Sequence, residues 1–260
     1  MNQIIPTIGE VLREWRQRRH LSQLDLALEA EISTRHLSYV ETGKSRPSRE
    51  MVLHLADRLD VPLRERNRML LAAGFAPQFP ERRLDDPALA AARQAVERVL
   101  AAHEPFPALA VDRHWTLVAA NRAVAPLLAG IAPRLLAPPV NVMRLALDPE
   151  GLAPRIANLP EWRAHLLHRL RRQAETTGDA ILAALAEEFR PRRPDPAPAS
   201  DHGGIVVPLR LRSAAGELSF ISTITVFGTP VDITLAELAI ETFLPADAAT
   251  AEALRRLLPG

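Results

Sequence analysis

Thr34, Arg35, Ser38 and Tyr39 occupy positions i, i+1, i+4 and i+5 of one short run, TRHLSYVE, with Leu37 and Val40 between them. At helical spacing, the four polar side chains share one face and the two apolar ones share the other. Hydroxyls, a guanidinium and a phenol on a single outward face can hydrogen-bond to base edges. Arg in particular can donate two bonds to guanine O6 and N7. His36 stands at the edge of that face, and Ser33 sits at its amino-terminal end. Lys44 and Arg46 follow directly and can neutralise phosphates. Gln23, eleven positions before Thr34, is near enough to anchor a phosphate or a base. The candidate contacts to double-stranded DNA are therefore Gln23, Ser33, Thr34, Arg35, His36, Ser38, Tyr39, Lys44 and Arg46. The competing reading of the same residues is the solvated face of a small helical bundle.

The surrounding residues favour DNA. Ser22 can cap a helix in which Leu24, Ala27 and Leu28 form the inward stripe. Glu31-Ile32 makes a turn, with Ile32 plugging the angle between the two helices. Ser33 caps the next helix, and Gly43 stops it by taking a left-handed conformation at little cost. A capped helix, a tight turn, a second capped helix and a basic loop define a helix-turn-helix. A helix over residues 8–20 precedes it, with Ile8, Val11, Leu12 and Trp15 inward. Ser48 caps a fourth helix carrying Met51, Val52, Leu55, Ala56 and Leu59, which Val61-Pro62 breaks. A fifth runs from Leu63 to Ala73 and ends at Gly74. Residues 1–74 hold 12 Arg and Lys against 10 Asp and Glu, a net +2. With so little bulk charge, tight binding depends on placed contacts.

The run SQLDLALEAEISTRHLSYVETGKSRPSREMVLHLADRLDVP resembles the lambda-repressor-like (XRE-type) helix-turn-helix family. STRHLSYVETGKSRPSRE, with LRERNRMLLAAGFAP after it, is similar to the branch in which that domain is joined to an MmyB-like ligand-binding domain. Glu31 departs from the common pattern, where many relatives carry Gly in the turn. Two later stretches are also similar to the MmyB-like branch: PALAVDRHWTLVAANRA, and NVMRLALDPEGLAPRIANLPEWRAHLLHRLRRQA from Asn141 to Ala174. The resemblance implies a PAS-like second domain, a small antiparallel sheet with flanking helices. It also implies an apolar pocket, for which fatty-acid-like ligands are the precedent.

The chain has 260 residues, 47% of them hydrophobic, enough for two globular domains. The expected fold class is α+β: an all-α, five-helix repressor-like domain over 1–74, a Pro-containing linker over 75–87, and the PAS-like domain over 88–260. The linker FAPQFPERRLDDP is broken by Pro77, Pro80 and Pro87, yet is apolar enough to pack on a neighbour. Residues 88–103 read as a helix. Ala108–Asp112 and Trp115–Ala119 read as strands around Asp112-Arg113-His114, and a helix starts at Asn121. Residues 161–173 and 179–189 read as helices, and PRRPDPAPASDHGG over 191–204 as a Pro-rich connection. Strands follow over 205–212 and 218–227. The segment 231–244 fits a strand or a short helix by its pattern alone, and the resemblance favours a strand that completes a three-stranded meander. Asp247 caps a last helix ending near Leu258.

Candidate walls of an apolar pocket are Val111, Trp115, Leu117, Leu127, Met143, Leu147, Trp162, Leu166, Phe220, Ile224 and Phe227; all have plain core packing as the alternative. Asn121, Arg122 and Arg144 are candidates for a polar head group. Glu161, His165 and His168 stand at i, i+4 and i+7, a zinc-like spacing with no second ligand cluster nearby, and no metal site is expected. There is no Gly-x-Ser-x-Gly elbow, no phosphate-cradling loop and no His-Glu-x-x-His motif, so an enzyme is not expected. Zero Cys excludes disulfides and thiolate chemistry. Net charge is only +1, with 31 of the 32 basic residues Arg, so the chain as a whole is no indiscriminate polyanion binder. No apolar run approaches a membrane span, and the amino terminus lacks the form of a secretory signal. The expectation is a cytoplasmic, homodimeric DNA-binding transcription regulator that needs no cofactor and senses a small apolar, fatty-acid-like ligand. The alternatives are a protein-interaction adaptor and a ligand-hydrolysing enzyme.

Overall fold

A computed structural model describes residues 6–191 and 206–257. The chain divides into two compact units. The first holds the residues up to Arg82 together with Glu175–Thr177 and Thr229–Ala236; the second holds the remainder from Arg83.

The first unit is built on five helices: α1 (Ile8–Arg18), α2 (Gln23–Glu29), α3 (Thr34–Glu41), α4 (Arg49–Arg58) and α5 (Leu63–Ala72). Side-chain hydroxyls cap four of them. Thr7, Ser22, Ser33 and Ser48 each accept from a backbone N–H three residues on, which satisfies a donor the helix cannot. Thr7 and Ser22 form reciprocal boxes with Glu10 and Asp25. Gly43 takes φ +74 and ends α3. The core joins Leu12, Trp15, Leu26, Leu37, Val40, Val52, Leu55, Leu59, Met69 and Leu70. The inward stripe of α2 differs from the expected one. Leu26, Ala27 and Ala30 are buried, whereas Leu24 is 57% and Leu28 69% exposed. Four of the seven residues of α2 are large and apolar or Ala in the span 24–28, so its short apolar pattern supports either face, and packing on α3 selects Leu26. Phe75–Arg82 packs with these helices. Asn67 donates to Phe79 O at 2.7 Å and accepts from the N–H groups of Gln78 and Phe79 at 2.9 and 3.0 Å.

In the second unit, α6 (Ala90–Ala102) leads into β1 (Ala108–Val111) and β2 (Leu117–Ala120). The helices α7 (Pro133–Leu136), α8 (Val142–Leu147), α9 (Leu159–Thr177) and α10 (Ala180–Glu188) follow. Then come β3 (Leu209–Ser213), β4 (Gly216–Val226), β5 (Ala239–Pro245) and α12 (Ala248–Leu257); between β4 and β5 the chain forms the short α11 (Ile233–Ala236), which is counted with the first unit. The sheet is antiparallel in the order β2-β1-β5-β4-β3, so β5 pairs with β1 and closes the early hairpin against the late strands. This is the expected antiparallel sheet with flanking helices.

Local boundaries differ in places. The stretch 231–244 is not one strand: Asp232 accepts from Thr234 N at 2.9 Å and starts α11, leaving the strand to begin at Ala239. The helix expected from Asn121 is a single 3-10 turn at Ala125–Leu128, with Pro126 in its first positions. The Pro-rich segment 191–204 lies, after its first residue, outside the described residues, as do Ile205 and Leu258. The main core of this unit gathers Trp115, Met143, Trp162, Leu166, Leu170, Leu182, Leu211, Leu218 and Phe220 between α8, α9, α10 and the concave sheet.

Candidate nucleic-acid and ligand sites

The outward face of α3 carries the candidate DNA contacts. Leu37 and Val40 are fully buried, and Arg35, Lys44 and Arg46 are exposed; Thr34, His36, Ser38 and Tyr39 are half-buried. Tyr39 organises the row. Its hydroxyl accepts from Arg35 Nε at 3.0 Å, and its ring lies 5.3 Å from the Arg35 guanidinium and 5.8 Å from Lys44 Nζ. Two cations are thus held near one aromatic ring, on the helix that also carries Thr34 and Ser38. Ser33 accepts from His36 N at 3.1 Å, so its hydroxyl acts as the cap of α3. Gln23 donates through Nε2 to Glu41 Oε2 at 2.7 Å, which ties its amide to the fold.

Glu41, a residue missed by the reading of the sequence, is the reason α3 sits as it does. Its side chain is fully buried and held by Arg16, Nε to Oε1 at 2.7 Å and Nη2 to Oε2 at 3.0 Å. Arg16 also donates to Leu21 O at 2.8 Å, and Arg13 donates to Glu41 O at 3.3 Å. One carboxylate therefore joins α1, α2 and the end of α3. Burial alone pushes the Glu41 carboxyl up, but the bonds from Arg16 and Gln23 and the Arg16 and Arg13 charges outweigh it and hold it below 4.5. The signal was available in principle. Glu41 extends the inward stripe of Leu37 and Val40, and Arg16 extends that of Leu12 and Trp15.

The turn before α3 works without glycine because Glu31 itself takes φ +54. Its N–H bonds Leu28 O, and Ile32 N bonds Ala27 O at 2.9 Å. Gly9 meets a different need. A Cβ there would lie 2.5 Å from Glu41 O and 2.7 Å from Val40 O, so α1 can approach the end of α3 only without a side chain.

The second unit holds a partly open apolar cavity of about 100 Å³. Seven of the expected wall residues line it: Trp115, Leu117, Leu127, Met143, Trp162, Leu166 and Phe220. Val111 and Leu147 pack in the same core without reaching it. Ile224 is half exposed, and Phe227 packs on a separate cluster with Val96, Leu100 and Ile240.

The expected head-group residues are occupied elsewhere. Asn121 is buried: its Oδ1 accepts from Ala108 N, and its Nδ2 donates to Leu100 O and Phe106 O. Arg122 pairs with Glu104, and Arg144 with Glu188 at 2.9 Å. None of the three lines the cavity, and each already has a partner. The cavity's charged residue is Glu241 on β5, paired with Arg169 of α9 at 2.7 Å.

Trp115 shapes the same region. It takes φ +65, an uncommon conformation for a bulky residue, and donates through Nε1 to Gln173 Oε1 at 3.0 Å. Just before it, Asp112 Oδ1 accepts from His114 N and Thr116 N, both at 2.8 Å, which confirms that Asp112 and His114 build a turn. His114 Nε2 lies 2.9 Å from Asp179 Oδ2 and fastens that turn to the start of α10. His165 stacks on Trp162 with ring centroids 5.3 Å apart; burial first, then the charges of Arg169 and His168, hold its pKa below 6.5. Among the described residues, no three His, Asp or Glu side chains converge to hold a metal.

An exposed face on a helix-turn-helix, in one chain with a sheet-and-helix unit that holds an apolar cavity, defines a DNA-binding transcription regulator with a ligand-binding domain. Residues 12–66 match the helix-turn-helix family model, and residues 92–257 match the MmyB-like transcription regulator ligand binding domain. The second match spans well over half of the chain, and the chain belongs to that family of XRE-type regulators. No curated protein matches it. Over 96% of its length it is similar to a solved RNA-binding Light-Oxygen-Voltage receptor, at 16% identity and a TM-score of 0.25, and it spans 63% of that receptor's chain. No helix among the described residues is long and apolar enough to cross a membrane.

Proposed function

We propose that this chain is a cytoplasmic, homodimeric regulator that reads a two-fold-related operator through α3 and senses a small apolar, fatty-acid-like ligand in the second unit. The apolar cavity between α8, α9 and the sheet carries the reading. Cavities of this kind, mostly apolar with one polar corner, are where proteins hold small molecules. An engineered apolar cavity of roughly 150 Å³ stays dry and admits benzene. At about 100 Å³, this one takes a short alkyl segment as it stands. A longer chain requires Met143 and the leucines to re-seat, which an unbranched thioether does readily. Ligand then changes operator affinity to the extent that it favours one of two states of the protein.

On the DNA, Arg35 and the hydroxyls of Thr34 and Ser38 meet base edges, and Lys44 and Arg46 meet phosphates. Two α3 helices in a dimer read half-sites about one helical turn apart. The test has two parts. Selection of duplexes from a random pool by the full chain enriches a sequence with two related half-sites, and Arg35→Ala weakens binding to it by about 1–3 kcal/mol while leaving non-specific binding nearly unchanged. Native mass spectrometry of the purified chain gives a dimer carrying a lipid-sized adduct. A pool that enriches no sequence would remove the DNA-reading role and favour a partner-protein adaptor.

A further inference from the structure

The cavity has one polar corner, and its chemistry restricts what can end there. Glu241 is 5% exposed and lines the cavity among apolar side chains. Its Oε1 accepts from Arg169 Nη1 at 2.7 Å. No hydrogen bond from any described residue reaches its Oε2. Yet among the described residues no side-chain oxygen or nitrogen is both sealed in protein and without a partner. The unpartnered Oε2 therefore keeps some open surface, on a residue that lines the cavity. The corner is held firmly. The Arg169 guanidinium lies 4.6 Å over the Trp115 ring, and Trp115 is fixed in turn by its bond to Gln173.

The Arg169–Glu241 pair is neutral as a unit. A ligand carboxylate placed against Oε2 would set two like charges side by side in an apolar enclosure, and one would have to take up a proton. An O–H or N–H group instead gives Oε2 the donor it lacks and adds no net charge. A cationic head would leave an uncompensated charge in the cavity. We propose that the cavity selects a short alkyl chain ending in a neutral hydrogen-bond donor, a primary alcohol or a primary amide, with that donor on Glu241 Oε2. The proposal rests on the ligand-sensing reading and narrows it: the free carboxylate of a fatty acid is the disfavoured head.

Trp115 and Trp162 both line the cavity, so intrinsic fluorescence of the full-length protein reports occupancy. The probes are 1-hexanol, hexanamide, hexanoate at neutral pH, and benzene as a headless control. The alcohol and the amide are expected to bind about tenfold or more tightly than hexanoate, the scale of one charge-assisted hydrogen bond gained against one repulsion. Glu241→Gln is expected to narrow that gap. The wild-type comparison decides the matter even if the variant folds poorly. Hexanoate binding as tightly as the alcohol, or a gap unchanged in Glu241→Gln, overturns the head-group assignment while benzene binding keeps the cavity. Failure of all four probes overturns this inference, while the ligand-sensing reading itself is decided separately by the adduct in native mass spectrometry.

Discussion

Glu41→Ala is expected to remove a large share of the stability of the helix-turn-helix unit. The wild-type carboxylate is fully buried, and its principal partner Arg16 has a side chain only 11% exposed. Deleting the carboxylate leaves a nearly buried guanidinium with one remaining bond, to Leu21 O. Breaking a buried pair from one side costs about 3–5 kcal/mol, because the surviving charge stays desolvated. Arg13 adds little, since its side chain is 46% exposed and 3.6 Å away. A domain has roughly 5–15 kcal/mol in total, so the variant sits near its folding limit. Glu41→Gln keeps a neutral acceptor for Arg16 and loses less, about 1–3 kcal/mol. Replacing both partners, Arg16→Met with Glu41→Leu, comes out close to neutral, since neither charge is then stranded.

The assay is urea unfolding of the full chain by far-UV circular dichroism, with operator binding as the readout specific to α3. Two single variants that each lose less than about 1 kcal/mol would show that water reaches the pair; a double variant as unstable as the sum of the singles would show that the two residues are not coupled. The pH dependence follows from the same geometry. The folded carboxyl titrates below its ordinary 4.5, so the contribution of Glu41 is complete above that value and is lost as pH falls through the lower folded one. The stability gap between wild type and Glu41→Gln therefore closes on acidification and is constant from pH 5 upward, which acid titration of the two unfolding curves checks.

Three other substitutions test separate parts of the structure. Gly9→Ala drives a methyl to within 2.5 Å of Glu41 O and is expected to cost about 1–3 kcal/mol and to weaken operator binding, measured by thermal melting and gel shift. Glu31→Gly relieves a left-handed residue that costs about 1–2 kcal/mol, less the entropy glycine loses on folding; a rise in stability of up to about 1 kcal/mol is expected, and a fall would show that the Glu31 side chain matters to the turn. Asn121→Ala takes a partner from Ala108 N, Phe106 O and Leu100 O, the last of which keeps its bond from His103 N, and is expected to cost about 1–3 kcal/mol in unfolding free energy with no change in the preference for any ligand head group.

The helix-turn-helix was legible because its signals are local. A hydroxyl three residues before an N–H, an apolar pair at i and i+3, and a glycine at the end of a helix each state their own geometry within four residues. Ser22, Ser33, Ser48 and Gly43 are such cases. The inward face of α2 was not legible. With apolar residues at 24, 26, 27 and 28 in a seven-residue helix, two stripes are equally written, and only packing against α3 distinguishes Leu26 from Leu24 and Leu28. The break at α11 was equally hidden, since a strand pattern over 231–244 does not announce that Asp232 will cap a helical turn.

The ligand site shows where local reading stops. An apolar side chain is written the same way whether it meets another side chain or empty space, so Val111 and Leu147 were indistinguishable from Leu117 and Leu127. The polar corner was further out of reach. Arg169 lies on a helix among other arginines, where solvation is the ordinary fate, and Glu241 sits 72 residues later in a strand. Their pairing exists only because the closure of β5 on β1 sets Glu241 opposite Leu109, on the concave side that α9 covers. Asn121 and Arg144 stand next to apolar runs, yet partners from other elements satisfy them away from the cavity: Leu100 O and Phe106 O hold Asn121, and Glu188 of α10 holds Arg144. A charge in an apolar wall is costly unless paired, so the fold can place one there only by bringing its partner from elsewhere in the chain. The residue that decides which head group enters is for that reason the one whose role depends most on long-range topology.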